Sequence, residues 1–584
     1  MIIRFLTYLS VILMFVSTAV SASETRQQPD AGGKARAELL IITGVVSGIH
    51  GKPIHDAEVI VRINGKEIDS DKGHGNRGLA TSNTGQFYRE IHLGGGVEEA
   101  DVELDIVKTS FRNIDKFKVD KINFVGKGGD GTPTYEYTGK FVMLREAGPA
   151  FYISALVLVF VYILIGFEII HRTLAAILGA MLMLFITYTV GTFFPEYFII
   201  SFDDAMDVVD YNVIFLLMGM MIIVGIMKET GVFQWLAYKS YEYSGGKVWN
   251  LVLILIVVTA VSSAFLDNVT TMLLLTPVTV EIALLLGLNP VSLLLPLVLA
   301  SNIGGTATLI GDPPNIMIGS YAGLTFNDFF LNLTLVICII LLLHIIMMKF
   351  IYGKEYSMAK VDNVQALTDK LREEYKITDA KLLKHSLVLV LVVIIFFIAH
   401  GALHMEPSIA AMTGAAVLLL ISRIDIVRLL ENDVEWPTLI FFMMLFIIVG
   451  ACEETGLIQI IADWVQRLSG GSLITGILLV LWVSAFMSAL IDNIPFTATM
   501  LPVVAFLTET TPGAETNILW WALALGACLG GNGTLIGASA NVVTAGLSEK
   551  AGYPVRFMQF MKIGMPVMVM SLIVSTLWLV FVER

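Results

Sequence analysis

Two carboxylate motifs lie inside otherwise apolar sequence, at matching places in the two halves of the chain. Ser263-Ala-Phe-Leu-Asp-Asn268 recurs as Ser488-Ala-Leu-Ile-Asp-Asn493, so that the serines and the asparagines are separated by the same interval of sequence. A carboxylate near the centre of a bilayer costs roughly 2.5 to 3.5 kcal/mol. Two of them at equivalent positions, Asp267 and Asp492, therefore indicate an ion or substrate pathway.

A second pair of motifs follows the first pair. Thr308-Leu-Ile-Gly311 recurs as Thr534-Leu-Ile-Gly537 at an interval longer by a single residue, so the chain contains a duplicated membrane unit. The surrounding stretch 302–315 holds glycines and two prolines, which predicts a broken helix. Its partner, 530–541, keeps the glycines but has Ala538-Ser-Ala where the first copy has Asp312-Pro-Pro.

The side chains of these motifs suit the binding of small ions. Sodium takes about five or six oxygen ligands, which unwound backbone carbonyls beside an Asp or Asn can supply. Half-helix N-termini at the same places would suit an anion. The alternative is that the glycines only permit close helix packing and the asparagines only cap helices. The candidate ion- and substrate-binding residues are Asp267, Asn268, Thr270, Asn302, Gly304, Gly305, Thr308, Asp312, Asn315, Asp492, Asn493, Thr497, Gly531, Asn532, Thr534 and Asn541, with Asp267, Asn268, Asp492 and Asn493 as the expected sodium ligands.

The composition is that of a polytopic membrane protein. Of 584 residues, 56% are hydrophobic and 15% charged, with a mean hydropathy of +0.78, which is too apolar for a soluble protein. The net charge of −13 argues against a nucleic-acid partner. The three cysteines lie in apolar segments, so neither a disulfide framework nor a zinc site is indicated, and no cofactor is expected beyond sodium or a proton as coupling ion.

The first part of the chain differs from the rest. Residues 1–22 have the pattern of a cleavable signal peptide, with an uncleaved signal anchor as the alternative, and 23–38 form a polar linker. Short alternating runs between turn clusters predict a small exported β-sandwich over 39–147, which resembles the carboxypeptidase-regulatory-like domains. Its histidines, His50, His55, His74 and His92, lack metal-ligand spacing.

Apolar segments fill the remainder, as transporter repeat 1 (150–352), a cytoplasmic linker (353–385) and transporter repeat 2 (386–584). His171-Arg172 after the first span belongs inside by the positive-inside rule, and the acidic loop 194–210 belongs outside. Equivalent segments then run in opposite directions. The predicted fold is an all-α polytopic membrane protein with inverted repeats, about ten spans plus two re-entrant hairpins at 248–285 and 472–510, preceded by the exported β-sandwich.

Two intramembrane aspartates also raise the possibility of an enzyme, an aspartyl protease whose paired carboxylates share a proton. Such enzymes resemble one another in a Gly-x-Gly-Asp signature. The nearest match here, Leu309-Ile-Gly-Asp312, lacks the first glycine, and an inverted duplication has no role in that chemistry. We therefore expect a protein that is not an enzyme.

The motifs resemble the ion transporter superfamily, in the group of the melanosomal P protein, the arsenite permeases and the NhaD sodium/proton antiporters, which share a citrate transporter-like domain. The resemblance covers residues 150–584 and is closest to the P protein, over 167–176, 263–271, 311–315 and 530–543. It implies two scaffold hairpins, two broken helices, a homodimer and alternating access by movement of a transport domain. From the signal-peptide pattern we expect a multi-pass protein of the plasma membrane, here a bacterial inner membrane, with the N-terminal domain in the periplasm.

The chain departs from the sodium-coupled carboxylate branch of that superfamily, in which the hairpin tips resemble Ser-Asn-Thr. Here they read Asp267-Asn268-Val269 and Asp492-Asn493-Ile494. A carboxylate at each tip should repel citrate or succinate and favour a cation or a proton. We expect a secondary transporter, with sodium/proton antiport ahead of other ion-coupled transport. The alternative is an arsenite or other anion permease, or an anion channel.

Asp312 is a third carboxylate in the motifs, besides Asp267 and Asp492, and it has no counterpart in the second half. If it lies close to Asp267, one member of that pair should hold a proton more tightly and could trade it for a cation. The alternative is that Asp312 caps the helix after the Pro-Pro turn.

Overall fold

The computed structural model describes residues 38–48, 53–54, 57–68, 79–82, 84–94, 96–97, 100–108, 111–119, 121–127, 132–143, 147–358, 373 and 375–581. The expected signal peptide, nearly all of the polar linker, His50, His55, His74 and residues 359–372 of the central linker lie outside these residues. The chain divides into two compact units, Met1–Arg145 and Glu146–Arg584.

The first unit is built of strands. They are β1 Glu38–Ser47, β2 Glu58–Ile63, β3 Lys66–Glu67, β4 Leu79–Ala80, β5 Gln86–Leu93, β6 Val102–Val107, β7 Ile114–Lys118, β8 Asn123–Lys127 and β9 Pro133–Val142. One sheet has the order β5-β1-β9-β8, with β1 and β9 parallel, and the other has the order β3-β2-β6-β7, with β4 paired to β2.

The two sheets share one hydrophobic core. Alternate residues of β1, such as Leu40 and Ile42, are fully buried, as are Val61 of β2 and Leu104 of β6. This alternation is what a strand with one buried face requires. The β-rich N-terminal region predicted from the alternating runs is thus confirmed, whereas its export and its likeness to carboxypeptidase-regulatory domains stay predictions.

The second unit is helical. Repeat 1 contains α1 Pro149–Gly166, α2 Arg172–Phe193, α3 Phe202–Asp207, α4 Tyr211–Glu229, α5 Val232–Ser244, α6 Val248–Phe265, α7 Asn268–Leu285, α8 Pro290–Gly305, α9 Pro313–Ala322 and α10 Phe326–Met358. Repeat 2 contains α11 Ala380–Leu403, α12 Pro407–Ser422, α13 Ile426–Asn432, α14 Trp436–Glu454, α15 Leu457–Ser469, α16 Leu473–Leu490, α17 Asn493–Thr510, α18 Ile518–Gly530, α19 Ser539–Lys550 and α20 Phe557–Phe581.

Ten of the helices in the described part of the chain are long and apolar enough to cross a membrane. Three shorter apolar helices, α8, α12 and α18, accompany them. The prediction of a polytopic helical membrane protein is confirmed. The inversion of the repeats and the re-entry of the hairpins depend on a bilayer and stay predictions.

Each long apolar stretch is divided in two at its aspartate. α6 ends at Phe265 and α7 begins at Asn268, while α16 ends at Leu490 and α17 begins at Asn493. The carboxylate at each junction accepts a hydrogen bond from a backbone N–H of the following helix, and such capping is what starts a helix at that point. We call Leu266–Asn268 the first tip and Ile491–Asn493 the second tip.

The glycine-rich motifs interrupt their helices, as the sequence predicts. Residues 306–312 separate α8 from α9, and residues 531–538 separate α18 from α19. We call these segments the first break and the second break. Because backbone groups in a break lack helical partners, side chains must satisfy them or leave them available to a ligand.

Two helices were missed by hydropathy, α5 and α15. Their composition is mixed rather than apolar, and each is introduced by a glycine at positive φ, Gly231 (φ 74°) and Gly456 (φ 88°). The left-handed backbone favours glycine and lets the chain turn sharply out of α4 and α14. These two glycines are separated by the same interval of sequence as Asp267 and Asp492, so the duplicated unit includes the two helices as well.

Candidate functional site

The helices that precede the two tips, α6 and α16, are attached to their neighbours by the same hydrogen bonds. Ser263 donates from Oγ to the carbonyl of Ser301 at 2.7 Å, and Ser488 donates to that of Ala527 at 2.6 Å. The hydroxyl of Thr308 donates to the Ala264 carbonyl. In the second copy Thr534 does the same to Ala489, at 2.5 Å. Thr308 and Thr534, which were expected to bind ions, thus tie each break to the helix that precedes its tip.

An asparagine fills each break. The Nδ2 group of Asn315 donates to the carbonyls of Gly305, Thr306 and Thr308, at 3.5, 3.1 and 2.9 Å. Asn541 donates to the carbonyls of Gly531 and Thr534, at 2.8 and 3.0 Å. Both side chains are fully buried and use their amide groups to hold the loop, so their amides are directed to the protein rather than to a ligand.

The two breaks are bonded to each other across the repeats. Nδ2 of Asn302 donates to Oδ1 of Asn532 at 2.9 Å and to Oδ1 of Asn541 at 3.0 Å. In the reverse direction, Sγ of Cys528 donates to Oδ1 of Asn315 at 3.4 Å. Asn302 and Cys528 are separated by the same interval of sequence as Asn315 and Asn541, so the two contacts are related by the duplication. The sequence did not single out Cys528 as a polar partner.

The glycines of the motifs allow close backbone approach. A Cβ on Gly304 would lie 2.6 Å from the carbonyl carbon of Ala260 on α6, and one on Gly531 would lie 3.1 Å from the carbonyl oxygen of Gly537. For Gly305 the carbonyl carbon of Gly311 would be 3.1 Å away. Thr497 uses its hydroxyl within its own helix, on the carbonyl of Asn493 at 2.7 Å. These four candidates have a structural role in the described contacts.

The negative charge of the carboxylate at the first tip, Asp267, is not balanced by an ion pair in the described contacts. Asp267 is half-buried, and its oxygens accept hydrogen bonds from the N–H of Thr270 at 2.9 Å and from the Thr270 hydroxyl. No basic side chain forms an ion pair with it among the residues that the structure describes. Beside it the buried Asn268 donates to Oδ1 of Asn302 at 3.2 Å. Asp267 therefore retains lone pairs for a cation or a proton.

The second tip is different because Arg172 reaches it from the start of α2. Nη1 of Arg172 lies 3.0 Å from Oδ2 of Asp492. The same oxygen accepts from the hydroxyl of Ser539 at 2.8 Å, and the other oxygen accepts from the N–H of Ile494 at 3.2 Å. Asp492 is buried, so its negative charge is balanced within the protein.

Arg172 is held at several points besides this ion pair. It donates to the hydroxyl of Ser539, donates from Nη2 to the hydroxyl of Thr438 at 3.1 Å, and lies 5.4 Å from the ring centroid of Phe441. Sequence reasoning used Arg172 only as a marker of topology. The signal that could have revealed it is its place in the family-like stretch 167–176.

Asp312 lies on the second tip. Its oxygens accept from Nδ2 of Asn493 at 3.3 and 3.4 Å, so the hydrogen-bond partner of this first-half carboxylate belongs to the other repeat. Asp312 also lies within electrostatic range of Asp267, and the sharing of a proton between these two carboxylates stays a prediction. Although Asp312 stands at the N-cap position of α9, its side chain makes no capping hydrogen bond, so the capping interpretation is wrong.

A fourth carboxylate, Glu435, was not expected at the site. It precedes α14, accepts from the hydroxyl of Thr438 at 3.0 Å, and lies within electrostatic range of both Asp267 and Arg172. With Asp267, Asp312 and Asp492 it makes four acidic groups against one arginine. The region formally carries three more negative than positive charges and should attract cations.

The described residues contain no group of three or more His, Cys, Asp or Glu arranged to hold a metal ion. The side-chain oxygen donors near the first tip are the carboxylate of Asp267 and the amides of Asn268 and Asn302, which are ligand types that sodium accepts.

Comparison with known proteins agrees with the motifs. A family model described as "Citrate transporter" matches residues 162–526. The chain is 41% identical over 429 residues to the "Uncharacterized transporter Rv2684" of Mycobacterium tuberculosis, a match that covers 73% of this chain and 97% of that protein.

It is also 37% identical over 502 residues to the P protein of Homo sapiens, covering 73% of this chain and 59% of that protein. The crystal structure of the YdaH transporter of Alcanivorax borkumensis aligns with a TM-score of 0.49 and 13% identity, over 70% of this chain and 98% of that one. The family predicted from the duplicated motifs is confirmed. The chain belongs to the citrate transporter family and is a membrane transporter.

Proposed function

We propose that this transporter works by secondary active, alternating-access exchange of sodium for protons, with Asp267 as the group that binds one or the other. The observation that carries the proposal is the difference between the tips. Asp267 is a half-buried carboxylate without an ion pair in the described part of the chain, whereas Asp492 has Arg172. An uncompensated carboxylate at membrane depth is a functional site by default, since it is costly to keep there.

The surroundings support a cation as cargo. Asp267, Asp312, Asp492 and Glu435 outnumber the single arginine, so a di- or tricarboxylate would meet net repulsion while sodium would be attracted. We therefore do not propose citrate as the substrate of this chain, although the family is described as a citrate transporter. Asp267 and Asn268 remain the proposed sodium ligands, and Asn493 the partner of Asp312.

We propose that the two breaks move together as one rigid body. Asn302 links them directly through Asn532 and Asn541, and separating fully buried amides without other partners would be costly. A cavity of about 370 Å³ lies beside α9 and is lined by polar groups that include Asn212, Ser320 and Glu406. We propose this cavity as one end of the ion route.

An anion as cargo is the second candidate, and Arg172 is the observation that favours it. If the ion pair with Asp492 opened during the cycle, the guanidinium and the N-terminus of α19 would face the same space, which suits arsenite or another oxyanion. A protease is poorly supported, because a carboxylate pair that shares a proton must face each other and Asp492 faces Arg172 instead.

The proposed setting is a bacterial inner membrane, with a homodimeric transporter and a periplasmic N-terminal domain. Cysteine labelling tests the orientation: a cysteine at Asp203 should react from outside and one at Lys370, in the central linker beyond the described residues, from inside. Reaction of both from one side would rule out the inverted arrangement. Chemical cross-linking in membranes tests the dimer.

Reconstitution into liposomes with a trapped pH-sensitive dye tests the exchange itself. Sodium added outside should move protons in wild-type protein and not in Asp267→Asn, while Asp203→Asn, an exposed acidic residue of α3, is the matched control. Chloride and arsenite are added in separate runs. A proton response to arsenite and none to sodium would overturn the proposal in favour of the anion permease.

A further inference from the structure

The duplication gives the two tips equivalent hydrogen bonds. Among the described residues, however, a basic side chain pairs only with the aspartate of the second tip. Arg172 is 320 residues from Asp492 in sequence and bonds to it at 3.0 Å. The guanidinium stays protonated throughout the physiological range, so this positive charge is permanent. It meets Asp492 and Ser539 through Nη1 and Thr438 through Nη2, which are groups from three different helices or helix ends.

The first tip has nothing equivalent among the described contacts. Ser539, which bonds to Asp492, corresponds to Pro313 in the first copy, and a proline has no hydroxyl to donate. The hydrogen bonds that Asp267 accepts come from Thr270, in the first turn of the helix that Asp267 caps. The carboxylate of Asp492 is therefore paired with a base, whereas the carboxylate of Asp267 has no ion pair in the described contacts.

We infer that the Arg172 guanidinium is a built-in cation that permanently occupies the second tip, so that this transporter takes one coupling cation per cycle, at the first tip, although its fold has two equivalent tips. The inference rests on the proposed function, because it assigns the number of coupling ions to that exchange. Arg172 would thus determine how many coupling cations the transporter takes in each cycle.

The chemistry explains why a sodium ion would not compete at the second tip. To reach Asp492 it would have to displace a guanidinium that makes three hydrogen bonds, and it would leave that charge partly buried beside Phe441 without a partner. Leaving one member of such a pair uncompensated is strongly unfavourable. A bound sodium and Arg172 would also place two positive charges against one carboxylate.

The experiment is the sodium dependence of flux in proteoliposomes for wild type and Arg172→Gln. One coupling site gives a Hill coefficient of about one, and two sites can raise it toward about two. We expect the wild type at the lower value and Arg172→Gln at the higher value, since the variant opens Asp492 to a second sodium ion. Arg172→Lys keeps the charge and should keep the wild-type slope. The matched control is Arg428→Gln, which removes an exposed arginine of α13 that lies 3.6 Å from Glu229.

A double variant covers the case in which Arg172→Gln does not fold. Arg172→Gln with Asp492→Asn removes both charges, so it should recover a folded transporter with the wild-type sodium slope. Size-exclusion chromatography and a sodium-dependent rise in melting temperature report folding and binding independently of flux. A folded but inactive double variant would overturn the inference, because Arg172 would then act on something other than Asp492.

The outcomes separate this inference from the proposed function. If wild-type flux responds to sodium and Arg172→Gln keeps the same slope, the inference fails alone. If wild-type flux ignores sodium, the proposed exchange fails and the inference fails with it, before any variant is compared.

Discussion

The first and second tips are held by the same hydrogen bonds but differ in charge balance. In both copies a serine bonds to the neighbouring helix, a threonine ties the break to the helix before the tip, and an aspartate begins the next helix. Yet Asp492 forms an ion pair with Arg172, whereas Asp267 accepts hydrogen bonds from Thr270 and has no ion pair among the described contacts. The comparison teaches that the hydrogen bonds to the backbone can be duplicated while the charge balance at each tip is set by side chains from elsewhere in the fold.

The two breaks also share their hydrogen bonds to the backbone but differ in charge. Asn315 and Asn541 hold equivalent carbonyls, but Asp312 in the first break has no counterpart in the second, where Ala538 stands. Asp312 then bonds across the repeats to Asn493. In the described contacts the first repeat thus contributes two carboxylates without an ion pair, Asp267 and Asp312, while the second repeat contributes Glu435, also without an ion pair, and Asp492, which has one.

The largest effect should come from Asp267→Asn. It removes the open carboxylate while keeping an N-cap side chain, so the fold should persist and coupled flux should fall to background. Proteoliposome flux together with the melting temperature checks this. Wild-type rates in the variant would mean that the tips are not distinguished by ion binding at all.

Asp492→Asn should act mainly on stability, since it leaves Arg172 partly buried without its partner. Breaking a buried pair costs about 3 to 5 kcal/mol, and because the Arg172 side chain is 22% exposed we expect about 2 kcal/mol. Thermal unfolding in detergent should show a clear drop relative to Asp267→Asn. Equal melting temperatures in the two variants would contradict the difference between the tips.

The duplication predicts equal effects at matched glycines. A Cβ at Gly304 would lie 2.6 Å from backbone atoms of Ala260, and a Cβ at Gly530 would lie 2.6 Å from the Cα of Ala485. Either change to alanine should cost about 1 to 3 kcal/mol of stability by overpacking. Gly353→Ala, which meets nothing within 4 Å, is the control. Strongly unequal melting temperatures for the matched pair would show that the two copies are not packed alike.

The smallest effect on stability is expected for Asp312→Asn. Its hydrogen bonds to Asn493 are long, at 3.3 and 3.4 Å, so their loss should cost no more than about 1 kcal/mol. If Asp312 takes part in proton binding, the dependence of flux on pH should flatten in the variant while the melting temperature hardly moves. An unchanged pH profile would assign Asp312 to structure and leave proton exchange to Asp267.

Local features of the site could be predicted because they are written in short stretches of sequence. Glycines and prolines interrupt a helix wherever they cluster, so the breaks at 306–312 and 531–538 followed from composition. An aspartate inside an apolar run starts a new helix, so the tips followed as well. By contrast, α5 and α15 were missed because their mixed polarity gives no hydropathy signal, although each begins after a left-handed glycine.

The sequence by itself determined the duplication, the family, the membrane character and the identity of the two tip aspartates, because each depends on residue type and spacing within one repeat. Only the tertiary structure decided what those aspartates face. Arg172 meets Asp492 over 320 residues, Asp312 meets Asn493 over 181, and Asn302 meets Asn532 over 230. These contacts cross from one repeat to the other, and no periodicity in the chain encodes which side chains will meet when two similar units pack together.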